Sequence, residues 1–373
     1  MTRPSLRVVF AVACSLCILA APAFATKYAG EFLKIAVGAR AVGMGGAFTA
    51  VADDATAPYW NPAGMVYLPY KEVFLQHAEQ FGSLVNHNFG SAVIPLAGEG
   101  SRRAAFGITG TWVGVSDIPI TPRPGGLRPG IDFLDYGTDN DPTTPGNGQG
   151  NGVWDPGERL LLDSGDLFLA SSADMALSLA YARQRGPHWA FGGAVKFVRQ
   201  SIPDTLVGQH VTSFGMGADA GLEYMPTDAV TIGAVVHDLT TTYITWSNGV
   251  RELVAPTLTT GAGFNFYPAE RHALTWAVDL AWGFEDRALD SQVHLGSVTA
   301  DVRTGLEYWY RGTLALRTGV NGKDLDFGIG VRYRHFGADY AASLNRFFAS
   351  GDNAFPNDTN LDTTHLVSAS MSW

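Results

Sequence analysis

From Tyr70 to Trp373 the chain alternates apolar and polar positions in short runs separated by turn residues. A period of two is that of a β-strand, whose successive side chains fall on opposite faces. In the run from His272 to Gly283, Leu274, Trp276, Val278, Leu280 and Trp282 share one face; Thr275, Ala277, Asp279 and Ala281 share the other. The parity recurs. Trp189, Phe191, Val195 and Phe197 oppose Lys196, while Phe214, Met216, Leu222 and Tyr224 oppose Asp219 and Glu223. Val302, Leu306, Tyr308 and Tyr310 oppose Asp301, Arg303 and Glu307. Leu325, Phe327, Ile329, Val331 and Tyr333 oppose Asp326, Arg332 and Arg334. A soluble sandwich would turn its apolar face inward. Here the opposite face repeatedly carries small residues and charges of both signs, so the apolar face is expected to look outward, toward lipid. The charges then line a polar lumen and pair there. The predicted fold is all-β, a transmembrane antiparallel β-barrel.

About fourteen such segments are legible, near 71–79, 85–96, 104–116, 166–183, 189–200, 211–225, 229–238, 256–267, 272–283, 293–310, 313–320, 325–335, 338–348 and 363–373. An even number suits a bacterial single-chain barrel, and ~9–11 residues suffice for a tilted strand to cross. The connections alternate in length. One set is brief: Ala97–Arg103, Gln184–His188, Pro226–Asp228, Pro268–Arg271, Arg311-Gly312 and Phe336-Gly337. The other is mostly long, with Asp117–Gly165, Ser201–His210, Leu239–Ala255, Phe284–Gln292 and Ala349–Asp362; Gln80–Leu84 and Asn321–Asp324 are its short members. Short periplasmic turns and long outer loops are the pattern of an outer-membrane barrel. It predicts an extracellular loop over 117–165 and both termini in the periplasm. The last segment alternates Val367, Ala369, Met371 and Trp373 with serines and stops on the aromatic. Such an ending resembles the signal read by the barrel assembly machinery.

Before the barrel lies a different text. Arg3 and Arg7, an apolar run from Val8 to Ala21 and Ala23-Phe24-Ala25 have the order of a secretory leader, residues 1–25. It contains Cys14 and Cys17, so no cysteine remains after cleavage and no disulfide is expected. Beyond it, no run reaches the ~18 apolar residues of a membrane helix. The formal charge of −10 argues against nucleic acid as a partner. High Gly and aromatic contents fit a barrel with glycine at bends and aromatics in interfacial girdles. The nine histidines have no ligand spacing, and nothing local suggests the Ser or Asp positioned beside a His that a hydrolase would need. No catalytic residue is expected, nor any required cofactor, and the chain reads as a non-enzyme.

Residues 26–69 form the second unit, centred on Ala29–Met65. The stretch is dense in Gly and Ala, carries Asp53 and Asp54, and ends in Trp60-Asn61-Pro62-Ala63-Gly64. Small side chains let backbone pack on backbone, so the segment is expected to plug the barrel of residues 70–373. Phe32, Leu33, Ile35 and Ala36 have helical spacing and predict a short helix. Gly43-x-Gly45-Gly46 is not a dinucleotide fingerprint, because the acids at 53 and 54 come too early.

The run AGEFLKIAVGARAVGMGGAFTAVADDATAPYWNPAG resembles the N-terminal signature of the PorV/PorQ family of outer-membrane proteins, within the FadL-like superfamily. The resemblance implies a 14-stranded barrel of a diderm outer membrane, with Asp53, Asp54, Trp60, Asn61, Pro62, Ala63 and Gly64 in the lumenal plug or hatch. It also implies two functions. A PorV-like barrel would hold secreted cargo by its C-terminal domain during type IX secretion; a FadL-like barrel would pass a hydrophobic small molecule such as a long-chain fatty acid.

Two further features stand apart. The long connection contains Asn147, Gln149, Asn151, Val153, Asp155 and Glu158 at the ligand spacing of an EF-hand loop, with Gly152 at its turn. Calcium is therefore a candidate ligand, bound weakly because Asn147 and Gln149 replace acids. The third segment carries Gly107, Gly110 and Gly114 and runs into Pro119, Pro122 and Pro124. Glycine in a strand often marks a kink or bulge, so any lateral opening is expected near its outer end.

Overall fold

The computed structural model describes residues 29–80, 84–96, 103–120, 127–143, 148–161, 168–204, 209–284, 291–296, 298–322, 324–344 and 363–373. The expected leader over 1–25, both cysteines, Asn147, Pro122 and Pro124 lie outside them. The strands are β1 (Glu72–Gln80), β2 (Val85–Leu96), β3 (Ala104–Ile120), β4 (Phe168–Arg185), β5 (Trp189–Asp204), β6 (Gln209–Thr227) and β7 (Val230–His237). There follow β8 (Thr242–Trp246), β9 (Arg251–Val254), β10 (Thr257–Ala269), β11 (His272–Gly283), β12 (Val293–Leu295) and β13 (Val298–Tyr310). The chain ends with β14 (Leu314–Asn321), β15 (Asp324–Tyr333), β16 (Phe336–Leu344) and β17 (Thr363–Ser372).

Fourteen of these close a barrel. Neighbours in sequence pair antiparallel, β7 passes to β10, β11 passes to β13, and β17 returns to β1 with Leu75 opposite Ala369. Closure leaves no sheet edge, which a strand structure in hydrocarbon requires. The remaining three are accessory. β8 and β9 form a hairpin against the Ser213–Met216 part of β6, inside the long connection Leu239–Ala255, and β12 caps the start of β13. The turn expected at Phe336-Gly337 is Arg334-His335, because β16 begins two residues earlier than its alternation suggested.

The facing is as the parity predicts. Trp276, Phe327, Ile329, Leu306 and Val302 are exposed, whereas Lys196, Glu223, Asp279, Glu307 and Asp326 are buried. Asp279 is 1% exposed and Trp276, three residues away, 42%. Val367, Met371 and Trp373 point outward, and the Trp373 amide donates to the Lys71 carbonyl at 3.0 Å. Aromatics collect at the short-turn end. Trp189 and Tyr224 lie 4.3 Å apart there, with Tyr267, Tyr333 and Phe336 exposed nearby in the chain's other turns. Such a girdle suits a membrane interface. No helix among the described residues is long and apolar enough to cross a membrane, which says nothing of a barrel of strands.

Inside sits the N-terminal segment. It runs through a 3₁₀ turn (Glu31–Lys34), two four-residue helices, α1 (Ala39–Val42) and α2 (Ala57–Trp60), and a second 3₁₀ turn (Pro62–Tyr67). The helix expected over 32–36 shortens to the first turn, since Ile35 is already extended. Met44, Phe48, Ala55, Ala57, Ala63 and Met65 are fully buried.

The wall that receives this plug is stripped of side chains. Gly192 faces Gly221 across β5 and β6, and the inward row Gly263–Ala277–Gly305–Gly319 crosses four strands in direct register. A Cβ on Gly305 would lie 2.2 Å from the Met44 carbonyl oxygen, and one on Gly319 2.1 Å from the Gly45 nitrogen. Much of the chain's glycine therefore serves this contact rather than bends.

Candidate functional site

Plug and wall are joined by charge as well as shape. The Arg40 guanidinium grips Glu307 of β13 with two hydrogen bonds of 2.9 Å and reaches Asp53 at 2.5 Å and Asp54 at 3.2 Å. Burial works against the Arg40 charge, but Asp53, Glu307 and Asp54 more than offset it and hold the proton more firmly than usual. The network continues along the wall. Glu307 accepts from Arg317 at 2.6 Å, Arg317 donates to Asp339 at 2.8 Å, and Asp339 also binds Arg332 at 2.8 Å. Buried charges need partners, and here each has one. The chain of pairs makes the plug electrically part of β13–β16.

Other tethers are single. The Asp279 carboxylate accepts from the Phe48 and Thr49 amides, both at 2.9 Å, and Gln76 accepts from the Gly38 amide. Asn61 Nδ2 donates to Thr49 O at 2.9 Å and to Glu223 Oε1 at 3.3 Å, while its oxygen caps the Pro62 turn through the Ala63 amide. Pro62 and Ala63 lie against Gly192, which explains why no bulkier residue stands there. Asp54 accepts from the Thr56 amide and hydroxyl just ahead of α2, and Trp60 donates to the Val37 carbonyl. The motif residues are thus gathered in one place. Asp53, the exposed member, holds Arg40.

On the long-connection side of the plug lies a cavity of about 290 Å³. Tyr59 and Trp60, in edge contact at 5.3 Å, form its plug side. Its wall carries Lys196, Asp219, Asp238, Asp301 and Arg303. Lys196 is neutralised by Asp219 at 2.9 Å and Asp238 at 2.8 Å, and Asp301 accepts from the Gln292 amide. Arg303 differs. It makes no ion pair or hydrogen bond among the described residues, and its buried Nε has no acceptor. The space is therefore polar in part, and Arg303, opposite Asp279 on the neighbouring strand, keeps an Nε with no hydrogen-bond acceptor.

Of the expected lumen-facing charges, Lys196, Asp219, Glu223, Asp279, Asp301, Arg303, Glu307, Asp326 and Arg332 face inward. Arg334 does not. It occupies the β15–β16 turn with φ 54° and lies over the exposed Tyr333 ring, because the strand ends before the alternation reaches it. Sequence reasoning missed Arg40, Arg317, Asp238 and Asp339. For Arg317 the signal was present: it shares parity with the inward Ala315 and Gly319.

The glycines of β3 have separate reasons. Gly107 receives Pro58 and Met65 of the plug, Trp112 covers Gly114, and nothing lies near Gly110. Pairing to β2 and β4 is unbroken from Ala104 to Val115; a bulge follows between Val115 and Ile118, with Asp117 at φ 57°.

In the 148–161 segment Glu158 is buried and its oxygens accept from the Gly137 and Asp155 amides at 2.8 and 2.9 Å. Asp155 accepts from Asn151 at 2.7 Å, the Asn151 oxygen accepts from the Val153 amide at 2.7 Å, and Gln149 donates to the Pro142 carbonyl. These oxygens suit calcium chemically, but each already serves the loop's own shape, so an ion would have to break those bonds. Among the described residues no three of His, Cys, Asp or Glu are grouped to hold a metal.

No protein-family model matches the chain, and no curated protein does. Solved structures do. The monoaromatic hydrocarbon channel CymD aligns with TM-score 0.53 and 12% identity over 91% of this chain and 98% of its own. The Ralstonia pickettii toluene transporter TbuX gives 0.51 and 14% over 90% and 98%. A deletion mutant of the monoaromatic hydrocarbon channel TodX gives 0.50 and 16%, also over 90% and 98%. This chain has the closed 14-stranded fold of the FadL-like outer-membrane barrels.

Proposed function

We propose that the protein is a non-enzymatic outer-membrane channel that passes a small hydrophobic molecule past its plug. The observation that carries this is the cavity between Tyr59 and Trp60 of the plug and the β5–β13 wall. The fold shared with hydrocarbon channels supports it. Trp373 lies at the short-turn end beside Lys71, and Ala29 packs at the other end with Ile244, Trp246 and Val254; we take the short-turn end as periplasmic, so the cavity opens toward the cell exterior. Arg303 favours a ligand with an acidic head over a plain hydrocarbon, because its buried Nε has no acceptor and a carboxylate would supply one. Release sideways through the wall would use the bulge after Val115 in β3.

Titration calorimetry of the detergent-solubilised protein with oleate and with toluene tests the reading. Saturable oleate binding, weakened about tenfold in Arg303→Gln, is the expected result. Failure of both ligands to bind would overturn it. The cargo-binding role implied by the PorV/PorQ resemblance rests on residues 29–64 alone. Secreted proteins co-purifying by a common C-terminal domain, with no lipid-like ligand bound, would establish that role instead.

A further inference from the structure

The outer wall carries a second concavity, of about 960 Å³, on the lipid-facing side of β1–β6 and β17. Register explains it. Ala369, Leu75, Gly90, Gly110, Leu177 and Phe197 stand directly opposite one another in one outward row across six strands. The two central members have no side chain, so the row sinks at Gly90–Gly110, between Leu75 and Leu177. Nothing lies within 4 Å of a Cβ built on Gly110. Neither glycine is needed by the plug, since both face away from it.

The adjacent outward row, one step toward the long connections, runs Val367, His77, Asn88, Trp112, Met175, Arg199 and Phe214. His77 and Asn88 satisfy each other at 2.9 Å. Arg199 is exposed on this apolar face and makes no ion pair or hydrogen bond among the described residues. Arg199 lies further from the short-turn end of its strand than His77 does, so the groove rises obliquely toward the cation. A charge facing lipid is costly in the hydrocarbon and nearly free at the interface. An apolar trough ending at an unpaired cation matches one kind of neighbour, an acyl chain with an anionic head.

We propose that this groove is a lipid seat: an acyl chain of a phosphate-bearing lipid lies over the Gly90–Gly110 floor, and its phosphate pairs with Arg199. The guanidinium's fork suits phosphate. A bound lipid would also fill the dent that the two glycines leave in the wall.

The test uses full-length mature protein in nanodiscs of equal parts dioleoylphosphatidylglycerol and dioleoylphosphatidylcholine, with retained lipid read by native mass spectrometry. Wild type is expected to keep the anionic lipid in at least fivefold excess. Arg199→Gln should bring the ratio to about one, and Arg334→Gln, a cation at the opposite end, should leave it unchanged. Gly110→Leu, whose Cβ would meet nothing within 4 Å, should lower retention of both lipids severalfold. Heat-modifiable gel migration checks that each variant is folded. Equal ratios in wild type and Arg199→Gln would overturn the proposal. So would a dimer peak abolished by Gly110→Leu, which would give the groove to a second copy of the chain.

Discussion

Arg40 of the plug and Glu307 of β13 meet side-on, Nε to Oε2 and Nη2 to Oε1 both at 2.9 Å, across 267 residues of sequence. Glu307 is 1% exposed and also holds Arg317, so the plug's latch is continuous with the wall's own ion pairs. Removing one member of such a buried pair costs about 3–5 kcal/mol. Arg40→Met should therefore loosen the plug and raise single-channel conductance in planar bilayers. Glu307→Gln should do the same, and the double variant should lose less than the two singles added, since they share one interaction. Unchanged conductance in all three would mean that the plug is held by shape alone.

The glycine belt predicts that shape matters too. Valine at Gly305 or Gly319 would put carbon about where the plug backbone now runs. Either Gly305→Val or Gly319→Val should leave the barrel assembled but unseat residues 43–46, exposing them to added protease and opening the pore. Deletion of 29–64 sets the upper limit of conductance. A trace from the deletion no larger than wild type would contradict the plug itself.

Which of this could be read from the sequence follows from what period two encodes. Parity specifies a face, so the outward Trp276 and Phe327 and the inward Asp279 and Glu307 were legible one residue at a time. It does not specify a partner. Nothing local to Arg40 reveals that Glu307 is its acceptor, and Asp339 enters only through Arg317. Strand ends were also poorly marked: Arg334 keeps the parity of Arg332 although the chain has already turned. Gly107 looked like a weakness in β3 because its cause, Pro58 and Met65, lies elsewhere in the chain. The Gly90–Gly110 floor was hidden for the same reason, since it exists only through register between two strands.

Calcium has a defined cost in the 148–161 segment. A ligand set built on Asn151, Asp155 and Glu158 must first give up the Gly137, Asp155 and Val153 amides. Binding is therefore expected only in the ~10⁻⁴–10⁻³ M range of extracellular modules. Trp154, whose indole donates to the Glu158 carbonyl at 3.0 Å, reports on that rearrangement. Its emission should change on millimolar calcium and not on equal magnesium. A flat titration to several millimolar would remove calcium from the loop.

The same long connection has an acid-sensitive turn. Side-chain and backbone hydrogen bonds from Arg128 hold the Asp132 carboxyl below its ordinary range. A carboxyl depressed on folding contributes order that is complete above its unfolded pKa of about 3.9 and is lost as pH falls through the lower folded value. Pepsin, active in that range, should cut within 127–134 slowly at pH 4.5 and progressively faster toward pH 2. Asp132→Asn removes the carboxylate at every pH, so its cleavage should be fast already at pH 4.5 and change less on acidification. Parallel profiles for the two proteins would show that the Arg128–Asp132 pair does not order the turn.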